Sequence, residues 1–184
     1  TGSNRARDAD LVTPSIDVEE MAFTYGRHLP NVLEGVNIKI PFGSFVGVVG
    51  RSGAGKSTLT DLLLGFQEPT SGSVTIGQIS AGDYVLENPG LVAYVPQKSH
   101  IFSGSILENV LLEIDPKKYD EVQLEQALKA TRMLEYVMSL PEGIHTRIGE
   151  GIRELSGGQA QRMSLTRALY RNPKILVLDE TTSA

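Results

Sequence analysis

At 184 residues the chain has the length of one domain, and its 40% hydrophobic and 21% charged residues are enough to bury a core. The net charge of -5 leaves no basic excess for neutralising phosphates, so nucleic acid is not an expected partner. The lack of cysteine excludes disulfides and thiolate metal sites, and no apolar run reaches the roughly 18 residues of a membrane span.

Two predicted strands open the folded part of the chain. Residues 1–15 are polar and are interpreted as a linker or as cloning residues outside the fold. Beyond them, apolar residues alternate with polar ones in two runs, at Ile16, Val18, Met21 and Phe23 and then at Val36, Ile38 and Ile40. This alternation predicts two half-buried antiparallel strands.

A strand, a glycine-rich loop and a helix are predicted next. Residues 45–49 form a nearly continuous apolar run that ends at Gly50, and helix-forming residues extend from 56 to 64. Further strands are predicted at residues 73–76 and 91–95.

The middle of the chain changes to a helical pattern. Between residues 106 and 139, apolar side chains recur at helical spacing, at Leu124, Leu128, Met133, Leu134, Val137 and Met138. Ser156 is predicted to cap another helix that runs to about Tyr170. A last apolar strand is predicted at residues 175–178.

The first chemical motif lies in the glycine-rich loop. Residues 50–57 fit the phosphate-binding pattern GxxxxGK[ST], in which glycines let backbone N–H groups surround phosphate oxygens at a helix N-terminus. Lys56 is predicted to neutralise the β- and γ-phosphates of a nucleotide, and the Ser57 hydroxyl to coordinate Mg²⁺. The other predicted contacts are Gly50, Ser52, Gly53, Ala54, Gly55 and Thr58. The alternative is a glycine-rich turn that matches by accident.

Two acidic residues follow the last predicted strand. An Asp at the end of a buried strand holds Mg²⁺ in phosphate-loop NTPases, which makes Asp179 a candidate metal ligand. Glu180 is the candidate catalytic base, because a carboxylate there can orient and deprotonate an attacking water. The alternative is an acidic helix cap after a core strand.

The string LSGGQ at residues 155–159 carries a family resemblance. A helix that starts with Ser and two glycines exposes backbone N–H groups and forms a second anion-binding surface. LSGGQ is also the signature motif of ABC (ATP-binding cassette) ATPases, which the chain resembles from about residue 16 to 184. The resemblance implies pairing of two such domains head to tail, each signature covering the other's γ-phosphate. The residues implied are Ser156, Gly157, Gly158 and Gln159.

The resemblance also implies a fold and a domain plan. We expect an α/β phosphate-loop NTPase core with an N-terminal antiparallel β subdomain and an α-helical subdomain inserted at about 98–164. The nucleotide-binding domain is expected at 16–184 and incomplete at its C-terminus, because the family continues into a D-loop Asp and a switch His. We therefore expect the 184-residue chain alone to hydrolyse ATP poorly.

Shorter motifs extend the resemblance. FTYG at residues 23–26 is similar to the family's aromatic loop, so Tyr25 is expected to stack on adenine, the alternative being an ordinary strand aromatic. Gln97 resembles the Q-loop glutamine that reaches Mg²⁺ and the attacking water, the alternative being a solvated loop residue. Residues 101–110 and 146–151 resemble exporter segments, with Glu150 either contacting membrane-domain coupling helices or lying in a simple surface turn.

The resemblance implies an ATP-hydrolysing domain of an exporter or of a lipid or polysaccharide flippase, with ATP and Mg²⁺ as ligands. Implied partners are a second nucleotide-binding domain, identical or not, and a transmembrane domain fused N-terminally, at the cytoplasmic face of the cell membrane. A soluble ABC ATPase acting on DNA or the ribosome would share the nucleotide motifs. A phosphate-loop kinase would share only Lys56 and Ser57.

Overall fold

The computed structural model describes residues 13–112, 115 and 118–179. The chain divides into two compact units, Thr1–Val92 and Ala93–Ala184. None of the helices within the described residues is long and apolar enough to cross a membrane.

The described part of the N-terminal unit, residues 13–92, contains a four-stranded sheet and two helices. The elements are β1 (Ile16–Phe23), β2 (Leu33–Ile40), α1 (Lys56–Leu63), β3 (Ser71–Ile76), β4 (Ile79–Ser80) and α2 (Ala81–Glu87). The strand order is β2-β1-β3-β4, and the pairs are antiparallel. The two strands predicted from alternating apolar residues are therefore confirmed, as are the helix after the glycine loop and the strand near residue 75.

A bulge in β1 explains why its apolar pattern changes phase. Ile16 and Val18 are buried with one residue between them, whereas the next buried residue, Met21, follows after two. The pairing register with both neighbouring strands shifts across this interval, and Glu20 adopts a positive φ of 44°. An extra residue in a strand returns the later side chains to the face that the earlier ones occupy, so the core face is kept along β1.

The predicted strand at residues 45–49 is wrong. The described structure assigns no strand there, and the side chains of Phe45 and Val49 are 97% and 92% exposed. An apolar run becomes a strand only where a neighbour supplies hydrogen bonds and a surface to pack against. Among the described residues of the N-terminal unit, no strand pairs with this run.

The second unit is mainly helical. Its elements, with β5 beginning at the boundary, are β5 (Val92–Val95), β6 (Gly104–Ser105), α3 (Ile106–Leu111), α4 (Glu121–Ala130), α5 (Leu134–Met138), β7 (Arg147–Ile148), α6 (Gly157–Tyr170) and β8 (Ile175–Leu178), with a 3-10 turn at Gly143–His145. β5 is bonded to β8, and β6 pairs with β7. The helical middle, the helix capped by Ser156 and the last strand are confirmed. The proposed domain limits, 16–184 with a helical subdomain at 98–164, stay predictions.

The helices of this unit share one apolar core. α3, α4 and α6 contribute its main buried side chains, including Ile106, Leu111, Leu128 and Met163. A polar pair lies within the buried part of this unit, where the hydroxyls of Thr131 and Thr166 are 2.7 Å apart. Both hydroxyls also reach helix carbonyls, so the pair is hydrogen-bonded despite its burial.

Gly72 is the glycine on which the β1 bulge depends most. Its φ is +75°, and a Cβ there would overlap the carbonyl oxygens of Glu19 and Glu20 in the bulge. Gly35 has a similar φ of +61°, but a Cβ would meet none of the described atoms within 4 Å. A side chain at Gly72 would therefore cause both backbone strain and a steric clash, whereas one at Gly35 would cause backbone strain alone.

We predict that Gly72→Ala lowers the free energy of unfolding by more than about 3 kcal/mol, because strain and overlap add. Gly35→Ala, the matched control, is expected to cost only roughly 1 to 2 kcal/mol of left-handed strain. Urea unfolding of both variants checks this. Equal losses would mean that the bulge does not need a glycine opposite it.

Candidate nucleotide-binding site

The predicted phosphate loop ends at the N-terminus of helix α1, which no side chain among the described residues caps. Gly53 and Gly55 have φ values of +78° and +84°, so the loop makes turns that favour glycine. Gly55 is the N-cap of α1, and no side chain among the described residues caps that helix. By contrast, Ser80 caps α2 and Asp120 caps α4 through side-chain oxygens. The first backbone N–H groups of α1 therefore remain for an external acceptor.

Packing holds the loop against the start of β2. A Cβ on Gly55 would lie 3.0 Å from Leu33 Cδ2 and 3.3 Å from the carbonyl oxygen of Val32. Gly53 has no such restriction, since a Cβ there would meet none of the described atoms within 4 Å. The loop thus has no room for a side chain at Gly55, where α1 begins, but has room for one at Gly53.

The charge of the loop suits an anion. Lys56 Nζ donates to the carbonyls of Gly50 and Arg51 at 2.9 and 3.0 Å, which holds the ammonium across the loop. Residues 35–60 contain basic side chains and no Asp or Glu. The exposed Ser57 follows in the first turn of α1. An ammonium, free helix N–H groups and a hydroxyl are the donor set that a Mg²⁺-bound triphosphate requires, so the residues present fit this ligand.

Tyr25 is placed beside the same helix. Its hydroxyl lies 2.9 Å from Thr58 Oγ1 in α1, and its ring packs edge to face on Phe23 with centroids 4.9 Å apart. The side chain is still 59% exposed. Tyr25 therefore combines a fixed position next to the phosphate loop with an aromatic surface open to a base.

A second group of predicted residues lies in the other unit, at the ends of β5 and β8. Asp179 directly follows β8, and its backbone N–H donates to the carbonyl of Val95, the last residue of β5. Gln97 is exposed just beyond β5. The Tyr94 hydroxyl donates to Asp179 Oδ2 at 3.1 Å, a contact that motif reasoning did not foresee. Glu180, the predicted base, lies outside the described residues.

The predicted signature opens α6 with a reciprocal cap. Ser156 Oγ accepts from the N–H of Gln159 at 3.3 Å, and Gln159 Oε1 accepts from the N–H of Ser156 at 2.9 Å. This capping box occupies both side chains within the helix end. Gly157 has no described atom within 4 Å of a Cβ position, and Gly158 meets only the tip of Arg162 at 3.6 Å. The first turn therefore presents backbone that a partner can approach closely.

The two exporter-like segments meet each other. Gly104 pairs with Ile148 and Ser105 with Arg147 in the β6–β7 ladder. Gly149 fits so closely that a Cβ would lie 2.7 Å from Ser103 Cα, and its φ is +125°. Glu150 follows in an exposed turn. Segments distant in sequence thus form one surface around this turn.

Two polar residues near that surface were given no role of their own by motif reasoning, although Asn109 lies within the exporter-like segment 101–110. Asn109 lies in the mainly apolar helix α3, and Arg167 lies on α6. Arg167 Nε donates to the backbone carbonyl of Asn109 at 2.8 Å. The signal available in the sequence was a single Asn in a helical run whose other residues, apart from Glu108, are apolar. The partner could not be read from local pattern, because the two residues are far apart in the chain.

Comparison with known proteins agrees with the motifs. The ABC transporter family model matches residues 33–183. The chain is 41% identical to the ABC multidrug transporter atrC of Emericella nidulans, covering 92% of this chain and 14% of that protein. It is 39% identical to the ATP-dependent lipid A-core flippase of Vibrio cholerae, covering 98% of this chain and 31% of the flippase. The chain thus spans less than a third of the length of these relatives.

A solved structure supports the fold. A bacterial Atm1-family ABC exporter with ATP bound matches with a TM-score of 0.77 and 31% identity, covering 94% of this chain and 30% of the exporter chain. This confirms the predicted α/β phosphate-loop NTPase class. Since the family match alone covers most of the residues, the chain belongs to the ABC transporter family.

Proposed function

We propose that the chain is the ATP-binding and ATP-hydrolysing domain of an exporter or of a lipid or polysaccharide flippase. The observation that carries the proposal is the open N-terminus of α1, with Lys56 across the loop and Tyr25 beside it. The relatives named above are a multidrug transporter, a lipid A-core flippase and an exporter. These names and the paired exporter-like segments favour transport over a soluble ATPase acting on DNA or the ribosome.

ATP binding is assigned to the phosphate loop and Tyr25. The backbone N–H groups at residues 53–58 and the Lys56 ammonium would hold the β- and γ-phosphate oxygens, because both supply positive charge at one place. The exposed ring of Tyr25 would stack on adenine. Gly50, Ser52 and Ala54 would complete the wall of the loop, and the side chains named as metal ligands are Ser57, Gln97 and Asp179. When bound, Mg²⁺ supplies charge neutralisation on the phosphate oxygens.

Hydrolysis is assigned to Glu180 with help from Gln97. A water oxygen attacks the γ-phosphorus, the bond to the β-phosphate oxygen breaks, and the water proton passes to the Glu180 carboxylate. ADP and phosphate are the products. Gln97 would orient the water from its place just beyond β5.

Transport requires a second domain and a membrane partner. The first turn of α6, with Ser156, Gly157, Gly158 and Gln159, would cover the γ-phosphate held by another nucleotide-binding domain, so that ATP closes a dimer and hydrolysis releases it. Glu150, in its exposed turn, would contact a transmembrane domain from the cytoplasmic side. The difference in dimer affinity between ATP and its products is the energy available for transport.

The phosphate loop is tested by removing its charge. Lys56→Ala is expected to weaken ATP binding at least tenfold, about 1.4 kcal/mol, because the ammonium no longer compensates phosphate charge. Lys39→Ala removes the same charge from a 75% exposed side chain paired with Asp17 and is the control. Calorimetric titration with Mg²⁺ and ATP measures both, and unchanged affinity in the Lys56 variant would refute the assignment.

The dimer is tested in the full transporter. Glu180→Gln is expected to bind ATP, stop turnover and accumulate an ATP-bound dimer of the domains, because an amide cannot accept the water proton. Adding Ser156→Arg should abolish that dimer, since a long cation would block the first turn of α6. Crosslinking between the domains with and without ATP measures the outcome. A double variant that still closes with ATP would show that the signature does not face the nucleotide.

A further inference from the structure

Asn109 ties a turn to helix α3. It is a polar residue that is 0% exposed, in a helix whose other buried residues are apolar. Its side-chain Nδ2 donates to the carbonyls of Phe102 and Ser105, both at 3.0 Å, and its Oδ1 accepts from the N–H of Phe102 at 3.2 Å. The amide therefore closes the turn that leads into α3, with its polar atoms satisfied.

Arg167 reaches the same segment from α6. Its Nε donates to the backbone carbonyl of Asn109 at 2.8 Å, and its Nη2 donates to the carbonyl of His100 at 3.1 Å. The two acceptors lie on either side of residues 102–105, the segment that Asn109 closes and that is called the Phe102 turn below. The guanidinium thus fastens both ends of that turn to the helix that begins with the signature.

The Arg167 guanidinium is partly buried and donates to two backbone carbonyls. Burial lowers the pKa of Arg167 from its ordinary value, which reports a loss of hydration around the cation. Among the described residues no carboxylate forms an ion pair with it. Carbonyl oxygens must then replace the lost water, and the Asn109 carbonyl is one of the last four of α3, where a cation is favoured.

Arginine suits this position better than other residues. Its planar fork presents several N–H donors in fixed directions, so that one side chain can hold two carbonyls. The lysine ammonium is a point charge on a flexible stem and would hold one of them reliably. The segment fastened in this way begins just after Gln97 and continues into β6, which pairs with β7.

We propose that Arg167 is a positioning residue that fastens the segment after Gln97 to the signature helix, so that the two move together during ATP hydrolysis. The role in hydrolysis rests on the function proposed above, whereas the fastening does not. Arg167 acts through Gln97 and the Phe102 turn. Its loss should therefore slow the chemical step more than it weakens ATP binding, because Tyr25 and Lys56, the proposed contacts to adenine and phosphate, belong to the other unit.

The fastening is tested on the chain without nucleotide by hydrogen exchange. Arg167→Met is expected to raise exchange of the amides at residues 97–105 at least about fivefold, with α4 and β1 unchanged. Arg167→Lys keeps the charge and the fold and is expected to raise exchange in the same segment by less. Arg171→Met removes a charge at the C-cap of the same helix and should leave the segment protected. Unchanged exchange at 97–105 in both Arg167 variants, or an equal rise throughout the unit, would overturn the proposal.

The consequence for catalysis is tested in the full transporter. Arg167→Lys is expected to lower kcat for ATP, measured per mole of folded protein, about fivefold to tenfold with KM within about twofold. A raised KM with unchanged kcat, or no change in either, would overturn the positioning role. Failure of Lys56→Ala to weaken ATP binding would instead refute the proposed function, and it would leave the hydrogen-exchange result standing.

Discussion

The open N-terminus of α1 is the constraint on which the candidate site depends. Helix N–H groups without an internal partner need an acceptor, and the glycine at the N-cap offers no side chain to supply one. Gly55 has a positive φ, and a Cβ there would crowd Val32 and Leu33, so the turn into α1 favours glycine at this position. Lys56 adds charge at the same place, so the sheet, loop and helix of this unit together support the proposed anion site.

The two glycine-containing helix starts differ in a way that suits different roles. α1 lacks a side-chain cap among the described residues, whereas α6 has a complete capping box between Ser156 and Gln159. A capped helix keeps its shape without a ligand, and its glycines leave backbone accessible. This difference supports a loop that binds the nucleotide and a preformed surface that a second domain's nucleotide meets.

The local sequence pattern predicted most of the helices and strands. The features that it did not predict depend on contacts between residues distant in the chain. The alternation from Ile16 to Phe23 and the Ser156 cap depend on neighbours in sequence, so they could be read directly. The run at 45–49 had the composition of a strand, but pairing decides strands and no pairing is present in the described residues of its unit. The links from Arg167 to His100 and from Tyr94 to Asp179 join distant positions, which periodicity does not reveal. Family motifs predicted that Tyr25 stacks on adenine, and the structure adds the contact of its hydroxyl with Thr58.

The central claim is that the first turn of α1 binds the phosphates, and it is tested most directly by amide chemical shifts of the ¹⁵N-labelled chain during titration with inorganic triphosphate. This probe has no base, so it reports the phosphate loop alone and detects weak binding. The account predicts that the largest shifts fall on the amides of residues 53–58, where the loop turns and α1 begins. Binding that shifts other amides and leaves those of residues 53–58 in place would contradict it.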